Sequence, residues 1–92
     1  MTDAQLQRAL QSVGLAAFVT HLELFQGAED TAGAAARLQA ATGWAETACL
    51  TRVRYARAIL AAGRRNDALA RVAQSDKVAQ ATRALARQML GG

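Results

Sequence analysis

Apolar side chains recur at intervals of three and four along nearly the whole chain, and the stripe they form changes phase where glycine or cap residues interrupt it. Leu6, Ala9, Leu10 and Val13 form the first stripe. Thr2 and Gln5 before it have the spacing of a capping box, so a helix is predicted to start near Asp3. At Gly14 the phase is lost, and Leu15, Phe18, Val19, Leu22 and Phe25 begin a rotated stripe. The pattern predicts a break or sharp kink at Gly14, with a continuous helix as the alternative, and a second helix over Leu15–Gln26 that ends at Gly27 and occupies the centre of the bundle.

Glu29, Asp30 and Thr31 supply an acidic cap for a third helix of mostly small residues, which carries Gly33 in its first turn and closes at Thr42 and Gly43. The longest periodic stretch runs from Thr42 to Gly63. Wound at about 100° per residue, it gathers Trp44, Ala48, Cys49, Val53, Tyr55, Ala56, Ile59 and Leu60 on one apolar arc. Thr47, Leu50, Thr51, Arg54, Arg57 and Ala58 fall on the other side. Asn66 is positioned to cap a short fifth helix with Leu69 and Val72 on its inner side. Ser75 and Asp76 do the same for a last helix that carries Arg83 and Arg87 one turn apart.

These patterns predict an all-α fold, a small compact bundle of five to six helices in one domain spanning residues 1–92, with a helix-turn-helix-like central pair. Proline is absent, and β-branched residues nowhere alternate with polar ones over a strand length. About a quarter of the residues are alanine, so the core has to rest on a limited set of large side chains. The expected set is Leu6, Leu10, Leu15, Phe18, Val19, Leu22, Phe25, Leu38, Trp44, Val53, Tyr55, Ile59, Leu60, Leu69, Val72, Val78, Leu85, Met89 and Leu90.

Charge changes this picture through its placement. Residues 1–50 set Asp3, Glu23, Glu29, Asp30 and Glu46 against Arg8 and Arg37, a net of −3. Residues 51–92 set eight arginines and Lys77 against Asp67 and Asp76, a net of +7. A basic second half suits an anionic partner, although arginine-for-lysine usage with abundant alanine is also what GC-rich coding produces. Arg52 falls on the inward arc among Trp44, Ala48, Ala56 and Ile59. Its charge therefore requires a partner, either a carboxylate, with Asp30 and then Glu23 as candidates, or helix C-terminal carbonyls.

The chemistry available is narrow. One histidine, one cysteine and scattered carboxylates show no metal-ligand spacing, phosphate loop or carboxylate pair, so no enzymatic activity, metal, cofactor or small-molecule substrate is expected. His21 reads as a boundary or capping residue and Cys49 as a small buried hydrophobe. Cys49 can form no internal disulfide, which fits a reducing compartment. With neither a leader-like start nor a membrane-length apolar run, a cytoplasmic location and no membrane partner are expected.

The third helix, a short turn around Thr42–Trp44 and the arginine-bearing long helix follow the order of a helix-turn-helix, whose second helix lies in the major groove. The likeness is one of architecture, and it departs from the compact motif in helix length and in lacking an alanine at the preferred spacing before Gly43. On this reading the protein is a small DNA-binding regulator of transcription or replication with duplex DNA as partner, and Thr47, Thr51, Arg54, Arg57, Arg64 and Arg65 form the contact surface. A second candidate turn, Ala62–Arg65, offers only Arg71 on its following helix. The alternative is a helical protein–protein interaction module or homodimerising adaptor without nucleic-acid binding, with Leu24 and Leu50 as exposed contacts.

Overall fold

The computed structural model describes residues 1–91, and the regular secondary structure within them is all helix, with no strands. Its elements are α1 (Asp3–Val13), α2 (Leu15–Thr20), α3 (Leu22–Gln26), α4 (Thr31–Thr42), α5 (Glu46–Ala61), α6 (Arg65–Ala73) and α7 (Gln80–Gly91). These seven helices, five of them of seven residues or more, exceed the five to six expected because the segment Leu15–Gln26 divides in two at His21. His21 has φ −112° and ψ 19°, yet its N–H still reaches the Ala17 carbonyl and its own carbonyl accepts from Phe25. The segment is therefore bent and not broken. At the bend the imidazole meets the Trp44 ring edge-on, 5.8 Å between centroids.

The capping box at the start of α1 forms as the sequence implies. Thr2 Oγ1 accepts from the Gln5 N–H at 3.1 Å, and Gln5 Oε1 accepts from the Thr2 N–H at 2.8 Å. Gly14 ends α1 with φ 94°, a backbone conformation that side-chain-bearing residues seldom adopt. A Cβ there would also stand 2.9 Å from Nη1 of Arg52, so the absence of a side chain admits the guanidinium. Gly33 has a comparable role. Asp30 caps α4 through a 2.7 Å hydrogen bond from the Gly33 N–H, and a Cβ on Gly33 would lie 3.0 Å from the same carboxylate oxygen.

Three helix starts differ from expectation. Thr42 belongs to the end of α4, where its hydroxyl donates to the Leu38 carbonyl and accepts from the Trp44 N–H, so α5 begins at Glu46. Helix α6 begins at Arg65, which places Asn66 inside the first turn, and no side chain caps it. Ser75 Oγ accepts from the Lys77 N–H within a turn, and α7 starts only at Gln80. Arg83 holds that turn, donating to the carbonyls of Ser75 and Val78 at 3.0 and 3.2 Å.

Helix α5 packs against α1, α3, α4 and α6, while α6 and α7 form a closely packed pair that α2 joins to the rest. The core beneath them holds Leu6, Leu10, Val13, Phe18, Val19, Phe25, Leu38, Val53, Ile59, Leu69 and Val72, each at most 1% exposed. Phe18 and Phe25 stack at 6.4 Å. Three expected core residues are instead exposed, Tyr55 at 44%, Leu85 at 38% and Leu90 at 37%. Leu15, Trp44, Leu60, Val78 and Met89 pack on the core from its margin. Of the supposed exposed contacts, Leu24 and Leu50 prove to be partly buried against the core as well.

Candidate nucleic-acid interface

Helices α4 and α5 are joined by the three residues Gly43–Ala45, and Gly43 closes α4 in the left-handed conformation with its N–H on the Gln39 carbonyl. The buried row of α5 is Cys49, Val53, Ala56 and Ile59. Opposite that row, at one-turn and near-one-turn spacing, Thr47, Thr51, Arg54 and Ala58 are exposed. Three of the six residues expected to contact DNA thus stand together on an open face. The guanidinium of Arg54 makes no hydrogen bond or ion pair among the described residues.

The other three are occupied within the chain. Arg57 is half-buried and reaches the end of α3, with Nε donating to the Phe25 carbonyl and Nη2 to the Gly27 carbonyl, both at 3.3 Å. Arg64 ties the start of α1 to the first turn of α6. It pairs with Asp3 at 2.6 Å and with Asp67, and donates to the Met1 carbonyl at 2.7 Å. Arg65 donates to Gln26 Oε1 at 3.0 Å and to Asn66 Oδ1 at 2.9 Å.

This pattern extends to most of the basic residues. Arg37, Arg52, Arg57, Arg64, Arg65, Arg71, Arg83 and Arg87 all donate to acceptors of the same chain. Several bind the carbonyl end of a helix other than their own: Arg52 the Val13 carbonyl of α1 at 2.5 Å, Arg57 the end of α3, and Arg87 the Ala73 carbonyl of α6 at 3.2 Å. A cation there satisfies carbonyls left without intrahelical partners and lies at the negative pole of the helix dipole. Arg52 in addition lies over the Trp44 ring, 4.1 Å from its centroid. Its partner is thus a helix C-terminus, as one of the two expectations held. Neither Asp30, which caps α4, nor Glu23 pairs with it.

Ion pairing also moves two titrations. The hydrogen bond and charge of Arg64 hold the Asp3 carboxyl below its ordinary range, and the hydrogen bonds of Arg64 to Asp3 and Asp67 raise the guanidinium further. Burial, and secondarily the Arg52 charge, lower the His21 imidazole. The second candidate turn, before α6, is the poorer surface. Leu69 and Val72 are buried, and Arg71 is directed at Gln7 Oε1, 2.7 Å away.

Two residues with no sequence signal for this face adjoin it. Tyr55, assigned to the core arc by periodicity, lies at the edge of α5 toward α1 and lines a shallow groove with Gln5, Arg8, Ser12 and Ala58. Ser12 also lines a neighbouring groove, with Thr47 and Thr51, so the two adjoin at that residue. Arg8, the lone basic residue of α1, resembles Arg54 in that its guanidinium makes no hydrogen bond or ion pair among the described residues, while its carbonyl accepts from Ser12 Oγ at 3.0 Å.

Comparisons with models of protein families, with curated proteins and with solved structures found no match. Among the described residues no group of His, Cys, Asp and Glu side chains is arranged to hold a metal ion, and no helix is long and apolar enough to cross a membrane.

Proposed function

We propose that the protein binds duplex DNA through the outer face of α5, as the second helix of the α4–α5 pair, and acts as a small regulator of transcription or replication. The observation that carries this reading is the exposed row of Thr47, Thr51 and Arg54, in which the arginine is uncommitted while most others in the chain are engaged. Hydroxyl and guanidinium groups at one-turn spacing on a helix suit base edges and phosphate oxygens. The arginines bound to backbone carbonyls keep their formal charge, so the chain's net +4 still attracts a polyanion over a Debye length even where their N–H groups are engaged. The contact surface proposed is therefore smaller than the sequence alone suggested. Arg57 and Arg65 contribute charge at a distance, Arg64 is neutralised by Asp3 and Asp67, and Thr47, Thr51 and Arg54 make the contacts.

Gel-shift titration against random-sequence duplex is the direct test. The wild type should bind with an affinity that falls steeply with salt, and Arg54→Ala should weaken it without loss of helical signal. Absence of salt-dependent binding by the wild type would overturn the reading. It would favour a helical interaction module or homodimer, for which α7 is the pertinent observation: it buries only Ala86 fully and leaves Leu85 and Leu90 more than a third exposed. A concentration-dependent dimer in sedimentation, with no DNA affinity, is the outcome that second reading requires.

A further inference from the structure

Arg8 and Arg54 are the two arginines whose guanidinium groups have no acceptor among the described residues, and they lie on adjoining helices of one face. Arg8 and Ser12 are exposed on the outer side of α1, which packs along α5. Between them and Arg54, Tyr55 is 44% exposed and shares the groove with Arg8. At Ser12 that groove adjoins the one lined by Thr47 and Thr51. The nearest carboxylate on α1, Asp3, is already engaged by Arg64, so it does not compete for Arg8.

We infer that Arg8 is a phosphate clamp on this surface, placed across the α1–α5 groove from the base-reading row, with the Tyr55 ring packed against the sugar–phosphate backbone between them. The inference rests on the DNA-binding reading and adds a division of labour to it. An α-helix entering the major groove carries the adjoining helix over a flanking strand, where a free guanidinium meets phosphate oxygens and carries no sequence information. Tyr55 offers a hydroxyl for the same strand, while the Ser12 hydroxyl already donates to the Arg8 carbonyl at 3.0 Å. Arg54, in the α5 row with Thr47 and Thr51, is the residue placed to distinguish bases.

The division is tested by measuring affinity for several duplex sequences over a salt series, with wild type, Arg8→Ala, Arg8→Lys, Arg54→Ala and, as a control of equal charge change on α7, Arg87→Ala. Arg8→Ala is expected to weaken binding by the same factor on every sequence and to flatten the plot of log affinity against log salt by about 0.9, with Arg8→Lys restoring most of the slope. Arg54→Ala should change the ranking among sequences, and Arg87→Ala should leave the ranking intact and the slope close to wild type. Wild-type affinity and slope in Arg8→Ala, alongside weakened binding by Arg54→Ala, would overturn the clamp while leaving the DNA-binding reading in place. Failure of the wild type to bind any duplex would overturn both.

Discussion

Arg52 makes two contacts at once, one N–H to the Val13 carbonyl and its guanidinium over the Trp44 ring, and it passes through space that only a glycine at position 14 leaves open. Truncating it leaves a helix C-terminal carbonyl without its donor and strips the cation from the indole. Arg52→Ala should therefore destabilise the fold by about 1–3 kcal/mol, a fall in melting temperature of about 4–8 °C per kcal/mol for a domain of this size. An unchanged melting temperature would contradict the assignment. His21 gives a pH dependence of known sign. Burial keeps its imidazole neutral in the folded chain below the ordinary value of about 6.5, so the unfolded chain takes up the proton first. Its contribution is complete above that value and declines as pH falls through it. Urea titrations at pH 7.5 and pH 5.5 should show the wild type losing stability on acidification and His21→Phe losing less. Equal losses would remove His21 as the cause.

At the scale of the helices, periodicity locates α1, α5 and α6, whose buried stripes are visible in sequence, while the alanine-rich α4 and α7 are marked chiefly by the polar residues before them. The capping box at Thr2–Gln5 and the Asp30 cap were legible because they are local. The boundaries that shifted depend on contacts from elsewhere in the chain: Arg83 closes the Ser75–Val78 turn before α7, and Thr42 uses its hydroxyl to finish α4 instead of opening α5. The bend at His21 is likewise tied to Trp44, more than twenty residues on. The surface was legible only in part. Thr47, Thr51 and Arg54 lie opposite the core at any reasonable helical phase. Whether an arginine on that side is free depends on the helix end that happens to lie beside it, as the pair Arg54 and Arg57 illustrates. Arg57→Ala removes two hydrogen bonds from the end of α3 and should cost about 1–2 kcal/mol in chemical denaturation, whereas Arg54→Ala should leave stability as it is. The reverse order would mean that the committed and uncommitted roles are misassigned.

Across the whole molecule, an alanine-rich chain of this length has little large apolar area to bury, and its arginines tie helix ends that the small core alone does not fix. Basic composition is therefore first a property of the fold, and only what remains uncommitted can specify a partner. Among the arginines that remainder is Arg8 on α1 and Arg54 on α5, while Lys77 stands exposed and, among the described residues, unpaired in the turn before α7. Duplex DNA bound on the outer side of α1 and α5 would perturb those two helices and spare α7. That placement is tested most directly by titrating isotope-labelled protein with a short duplex and following the backbone amide resonances. Shifts should concentrate at Thr47, Thr51, Arg54 and Tyr55 and extend to Arg8 and Ser12, with α7 largely unmoved. Shifts concentrated on α7, or no shifts at saturating duplex, would contradict it.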